Sequence, residues 1–340
     1  SRGLGDVNKR QIIGYGHIGR VHQQAIEETE NAHLISVIDF NLPEDLPFKG
    51  YSTLESFLNE DQETDVVVIA TPNGLHREHA IRCLKAGKNV LIEKPIALTV
   101  EDAKEILKVA EEKNLRVFTS MQLRFSPVVQ YVKNLIDNNS LGKVFMVNIN
   151  CYWNRNKNYY KLREWHGNQE MDGGVLFTQF SHFVDIMNFW FDEVICTNSK
   201  SFNFTHQEVT EFDDSGCVDF TADGAIGHMI YTTSVFNKNF ESNITLIAEK
   251  GTIKIGDQYL NQMIYSDLKN VCCSNKISTE QKNFHPNAIA EISDALIRHN
   301  ESLLDGKYAV NLVKFISDAN HLATENKQEL KTENYEISHS

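Results

Sequence analysis

The chain has 340 residues, 41% of them hydrophobic and 23% charged, with a formal net charge of −13 at pH 7. This is the composition of a soluble globular protein too long for one compact core, so two domains are expected. The acidic balance and the lack of a sizeable Lys/Arg cluster argue against nucleic acid or an anionic membrane as partner, and no apolar run approaches the ~18 residues that span a bilayer. The polar opening at residues 1–10 lacks a signal-peptide core, so a cytoplasmic protein with a small-molecule partner is expected.

In chain order, the first element is an apolar strand at residues 11–14. It runs into Gly14-x-Gly16-x-x-Gly19 and a helical pattern over residues 18–28. Gly14 permits a tight turn, Gly16 lets backbone amides approach a pyrophosphate, and Gly19 lets the helix pack against the strand. His17 and Ile18 open that helix, whose free amides and dipole favour phosphate charge. A second strand, residues 33–39, ends in Asp39, about twenty residues beyond the last glycine, as a dinucleotide-binding fold requires. Asp39 suits ribose hydroxyls and repels a 2'-phosphate, so the expected cofactor is NAD rather than NADP.

Further strands at residues 66–70, 89–92 and 116–120 alternate with helical patterns at 53–59, 75–86 and 99–113, which gives a doubly wound parallel sheet. Ligands of such sheets bind at the carboxyl ends of the strands. Thr71-Pro72-Asn73 with His76 following, Glu93-Lys94-Pro95, and Met121-Gln122 each come after an apolar strand, so they are expected to line one cofactor cleft. Lys94 stands where a nicotinamide ring would lie.

After Pro127 a helix reaches residue 137, and strand-like stretches follow at 143–153, 217–220, 225–235 and 242–255, with a hairpin turn at Gly251 and its polar neighbours Glu249 and Lys250. Few helices separate them, so an α+β domain with a mainly antiparallel sheet is expected. Residues 286–326 read as a helical tail packing back on both domains. Residues 172–185 read as one helix on which Thr178, His182 and Asp185 share a face at i, i+4, i+7. The six cysteines, Cys83, Cys151, Cys196, Cys217, Cys272 and Cys273, have neither zinc-site nor disulfide-framework spacing; most read as buried apolar residues, and no metal is expected.

Taken together, Gly14-x-Gly16-x-x-Gly19, Glu93-Lys94-Pro95 and Gly173-Gly174...His182-x-x-Asp185 resemble the glucose-fructose oxidoreductase / inositol dehydrogenase (Gfo/Idh/MocA) family over nearly the whole chain. The resemblance implies an NAD-binding Rossmann domain at residues 1–122. It implies a substrate-binding and oligomerisation α+β domain at 123–340, with a large open sheet, assembling as a homodimer or homotetramer. It makes Lys94 the catalytic lysine and His182 the histidine of the catalytic helix, and it puts Trp165 near the cofactor, with His166 where arginine is usual. Position 178, commonly Asp, is Thr here, and Phe180 replaces a glycine, so acid–base work falls to Lys94 and His182.

Gln122-Leu123-Arg124 and the stretch from Asn158-Tyr159-Tyr160 to Trp165-His166-Gly167 look most like the subgroup that oxidises C3 of UDP-N-acetylglucosaminuronate or related nucleotide sugars. Substrate contacts are then expected from Lys94, Arg124, Tyr160, Thr178, Gln179 and His182. Arg124, Lys157, Lys161 and Arg163 are candidates to neutralise a uronate or diphosphate. A dehydrogenase of a free sugar or inositol, and an NAD-responsive binding protein without turnover, are the alternatives.

Overall fold

A computed structural model describes residues 8–61, 63–269 and 277–339; Cys272 and Cys273 lie outside these. The chain divides into two compact units, Ser1–Gln122 with Asn283–Val313, and Leu123–Lys282 with Lys314–Ser340. The first unit thus takes in a late segment, residues 283–313, that the sequence reading assigned to the second domain.

In the first unit, β1 (Asn8–Ile13), β2 (Ala32–Ile38), β3 (Lys49–Tyr51), β4 (Val66–Ile69), β5 (Asn89–Ile92) and β6 (Val117–Thr119) form a parallel sheet in the order β3-β2-β1-β4-β5-β6. This is the doubly wound order in which a dinucleotide crosses the sheet at the point where strand order reverses, between β1 and β4. All of β4 is buried, which explains why it reads as an uninterrupted Val/Ile run rather than an alternation. The connecting helices are α1 (His17–Glu27), α2 (Leu54–Glu60), α3 (His76–Lys85) and α4 (Val100–Lys113). Helix α4 starts where the Thr99 side chain accepts the Asp102 amide and stops at Asn114, whose φ of 54° is left-handed.

The second unit opens with α5 (Pro127–Asp137), whose proline occupies the first turn, where its missing N–H costs nothing. Then come β7 (Val144–Tyr152), α6 (Lys157–Lys161), α7 (Val175–Thr178) and α8 (Ser181–Trp190), followed by β8 (Val194–Phe202), β9 (Ser215–Ala222), β10 (Ala225–Thr232), β11 (Glu241–Ala248), β12 (Gly251–Gly256) and β13 (Gln262–Leu268). Its strands lie in the order β13-β12-β11-β7-β10-β9-β8; β7 and β10 pair in parallel and the other neighbours are antiparallel. The sheet is therefore mixed, with the expected antiparallel majority. Ala248 pairs with Gly251, so the hairpin turn falls at Glu249-Lys250.

The helix expected over residues 172–185 is two helices. Phe180 has φ −111° and ψ 3°, and both the Gln179 and Phe180 amides bond the Val175 carbonyl, which widens the turn and ends α7 before α8 begins. Thr178 and His182 therefore lie on different helices rather than on one face.

Helix α9 (His285–Arg298) belongs to the first unit, packs on α1 and β2, and buries Ala288, Ile289 and Ile292. Arg10 of β1 is fully buried and donates to Ser293 Oγ at 2.8 Å; burial lowers its pKa to about 10 against the opposing charge of Asp65. The last helix, α10 (Ala309–His339), has residues in both units. Among the described residues no helix is long and apolar enough to cross a membrane.

Candidate active site

The first unit builds a cradle at the carboxyl end of β1. Gly14 has φ +88°, and a Cβ there would stand 2.5 Å from the Ala70 carbonyl oxygen; a Cβ on Gly19 would stand 2.1 Å from the Gly14 oxygen. Only glycine fits these approaches between turn, strand and helix. Gly16 caps α1 without a side-chain hydrogen bond, leaving its first amides for an anion, with His17 exposed and Ile18 half-buried in the first turn. At the end of β2, Asp39 accepts from the Tyr15 amide at 2.7 Å and the Asn41 amide at 3.0 Å, which fixes its carboxylate beside the glycine turn. These residues fit a dinucleotide: a phosphate cradle that side chains would fill, and an acid placed for ribose hydroxyls.

The ends of β4, β5 and β6, neighbours in the sheet, bring residues 71–73, 93–95 and 121–122 to the same carboxyl edge. His76 does not face outward there. It is fully buried, with Nδ1 2.7 Å from the Pro95 carbonyl oxygen and Nε2 3.0 Å from that of Thr71, so it ties the two loop tips together. Burial lowers its pKa while the two carbonyls pull the other way, and a neutral ring donates to one of them at a time. Asn73 is buried as well, while Thr71 is half-buried and bonds His79 Nδ1 at 3.1 Å.

Glu93 also turns inward. Its carboxylate accepts from His22 Nε2 of α1 at 2.6 Å and lies 3.9 Å from His285 Nε2 of α9. Burial opposes its ionisation, yet the His22 hydrogen bond and the charges of His22, His285 and Lys94 outweigh that and hold it well below the usual carboxylate range. The pair was not legible in the sequence, where His22 was one more residue of a helical pattern. His22, Glu93 and His285 are the kinds of group that hold a metal, with ligand atoms within 4.8 Å of one another. Two ligands on one zinc at ~2.0–2.1 Å would stand more than ~3 Å apart, so the 2.6 Å contact has the length of a hydrogen bond. Glu93 thus anchors the loop that presents Lys94, which is half-buried at the end of β5.

In the second unit, Thr178 Oγ1 bonds both the carbonyl oxygen and the carboxylate of Asp172, a buried residue whose other carboxylate oxygen accepts the Gly167 amide at 3.0 Å. Gln179, next in the chain, donates to the Tyr159 hydroxyl at 2.8 Å and accepts from Arg155 Nε at 2.8 Å. His166 stacks on Tyr159 with ring centroids 4.6 Å apart and meets Trp165 edge-on. His182 is half-buried in the first turn of α8.

Two expected substrate contacts, Arg124 and Tyr160, are buried. Arg124 is buried, and two of its nitrogens donate to the two oxygens of Asp185, with Nε to Oδ2 at 2.9 Å. Tyr160 is buried among Tyr159, His206 and Phe212, and burial pushes its phenol up. Lys157 is exposed and pairs with Glu208, and Lys161 and Arg163 are exposed. Arg155 is a cation that sequence reasoning passed over; its one signal is its place between Trp153 and Tyr159 just after a central strand.

Residues 9–121 match a family model described as an oxidoreductase family with an NAD-binding Rossmann fold, and residues 129–254 match the Gfo/Idh/MocA C-terminal domain. The chain belongs to the Gfo/Idh/MocA family. This family member is an NAD-dependent oxidoreductase, and its first unit is the NAD-binding domain. It is 28% identical over 240 residues to glucose-6-phosphate 3-dehydrogenase of Bacillus subtilis (strain 168), covering 68% of each chain. It is also similar to the WlbA dehydrogenase from Bordetella pertussis in complex with NADH and UDP-GlcNAcA, with TM-score 0.87, 26% identity, and 94% and 96% of the two chains covered. The WlbA dehydrogenase from Chromobacterium violaceum, with the same two ligands, matches with TM-score 0.88, 26% identity and 95% of each chain covered.

Proposed function

We propose that this oxidoreductase transfers hydride between NAD and C3 of a nucleotide-linked N-acetylhexosaminuronate or a related sugar. One observation carries the reading: the likeness to the two WlbA dehydrogenases runs over 94% and 95% of the chain, taking in the sheet and helices of the second unit as well as the cofactor domain. Bound NAD⁺ supplies a hydride acceptor at nicotinamide C4. Lys94 accepts the hydroxyl proton as the C–H bond gives up its electron pair and the carbinol becomes a ketone. In the reverse direction its ammonium stabilises the alkoxide and returns the proton. His182 has an assisting or orienting role. Thr178 holds Asp172 in place and takes no proton.

A second reading, a dehydrogenase of an unlinked sugar or sugar phosphate, is favoured by the Bacillus subtilis relative. Initial rates of NADH formation with UDP-N-acetylglucosaminuronate, glucose 6-phosphate and myo-inositol separate the two. The proposal expects the nucleotide sugar to have the highest kcat/KM and to yield a product two mass units lighter. A higher kcat/KM for glucose 6-phosphate or inositol overturns it, and no turnover of any sugar returns the chain to a binding role.

A further inference from the structure

The guanidinium of Arg155 is packed between the rings of Trp153 and Tyr159, 4.9 and 5.3 Å from their centroids. Its own amide is tied to the Thr233 carbonyl at 2.8 Å, so the residue is fixed at the end of β7. Nε donates to Gln179 Oε1 at 2.8 Å, and Nη1 donates to the Asn154 carbonyl at 2.7 Å and to Asn239 Oδ1 at 3.2 Å. Every one of these acceptors is neutral. The guanidinium also has a hydrogen bond with the Tyr159 hydroxyl, again a neutral group, and no described carboxylate lies within ion-pair distance of the side chain.

Other cations withdrawn from water have an acid. Arg124 has Asp185, Lys88 has Asp61, Arg116 has Asp305, and Arg10 feels the charge of Asp65. A desolvated charge among neutral groups is costly until an opposite charge completes it. Burial accordingly lowers the pKa of Arg155 from its ordinary 12.5, with the neighbouring tyrosines opposing. The site nonetheless holds the guanidinium rigidly, through Gln179, three residues before His182. Burial also pushes the Tyr159 phenol up, so its hydroxyl, while accepting from Gln179, keeps its own proton to donate.

We propose that Arg155 is the specificity residue for an acidic sugar: its guanidinium, held by neutral partners only and flanked by the Tyr159 hydroxyl, receives the carboxylate of the ring being oxidised. The inference rests on the sugar-dehydrogenase reading above and narrows it to uronates. One guanidinium without a charged partner suits a single carboxylate, whereas a diphosphate with its greater charge would call for several such cations.

Calorimetry on the NADH-loaded protein tests this with two matched pairs, UDP-N-acetylglucosaminuronate against UDP-N-acetylglucosamine and glucuronate against glucose. Wild type is expected to bind the acid at least ~10-fold more tightly than its neutral counterpart. Arg155→Gln should bring that ratio close to one with NADH affinity unchanged. Asn239→Asp, which sets an internal carboxylate beside Nη1 without removing the cation, should lower the ratio in the same way and serves if Arg155→Gln does not fold. A ratio that survives in either folded variant, or wild type without acid preference in both pairs, overturns the role of Arg155. Either result leaves the nucleotide-sugar reading standing if UDP-N-acetylglucosaminuronate is still oxidised. That reading fails separately if glucose 6-phosphate or inositol is the better substrate.

Discussion

The Thr178 hydroxyl lies against Asp172, bonded to its carboxylate and, at 3.0 Å, to its carbonyl oxygen. A carboxylate thus already stands beside position 178, where the family resemblance leads one to expect aspartate. Thr178→Asp would put a half-buried acid against the buried Asp172, and like charges that close cannot both ionise without cost. The introduced acid's folded pKa would be raised, so the penalty grows as pH rises above its unfolded value near 4. Thr178→Asp should be less stable than wild type by about 1–3 kcal/mol at pH 8 and by less at pH 5, with a correspondingly lower melting temperature and no gain in turnover. Equal melting temperatures for the two proteins at both pH values would show the carboxylates to be apart.

Lys94 and His182 stand on different units of the fold, one after β5 and one at the start of α8. If Lys94 carries the proton, Lys94→Met should slow single-turnover hydride transfer by at least ~10²-fold while NADH fluorescence titrations stay close to wild type. His182→Ala should retain more activity than Lys94→Met. Near-normal single-turnover rates in Lys94→Met would remove Lys94 from the mechanism.

Asp39 is pinned by two backbone amides at the end of β2, a fixed negative charge where a 2'-phosphate would need a cation. NADH should therefore bind at least ~10-fold more tightly than NADPH, a preference that Asp39→Ser narrows. Calorimetric titration of both cofactors decides it, and equal or tighter NADPH binding to wild type would refute the assignment.

His285 and His79 are both lowered to about 4, chiefly by burial. For His285 the charges of His22 and Lys94 add to that and Glu93 opposes it. Groups whose folded pKa lies below the unfolded value near 6.5 stabilise fully above that value, and the contribution is lost as pH falls towards 4. Melting temperature should rise with pH across that window, and the His79→Gln/His285→Gln double variant should show a flatter rise. An unchanged slope in the double variant would assign the dependence to other groups.

The parallel sheet, its glycine turn and the loop bearing Lys94 were legible because each depends on local signals: Val/Ile runs, glycines at fixed offsets, and an acid at the right distance. Edge strands β8 and β13 escaped notice because an edge strand is only half-buried and mixes polar with apolar residues, as Val194–Phe202 does. The break between α7 and α8 was hidden because the apolar spacing of residues 175–187 suits a continuous helix, and it was the conformation of Phe180 that ended one and began the next. Contacts joining residues far apart in the chain, such as Arg124–Asp185 and His22–Glu93, left no trace in the spacing of either partner. Arg124 therefore read as a free cation and Glu93 as a cofactor ligand.

One face of the second sheet presents apolar side chains in register. Met146 lies opposite Ile226 on one side and Ile247 on the other, and Ile226 is 67% exposed. On the same unit a depression of about 370 Å³ is lined by Phe202, Phe204, Ile230 and Tyr231. The face is not uniformly apolar: His228 and Asp219 pair across it at 2.7 Å, a polar feature that would fix register between two packed sheets. Such a surface is expected to be covered by the same face of a second copy, giving a dimer or tetramer. The net charge of −13 does not oppose this strongly, because charges outside the patch are screened within ~8 Å at physiological salt. Sedimentation at micromolar concentration should show species of at least twice 38.8 kDa, and Ile226→Glu with Ile230→Glu should shift them to the monomer without loss of NADH binding. A wild-type protein that sediments only at 38.8 kDa would leave this face without a partner of its own kind.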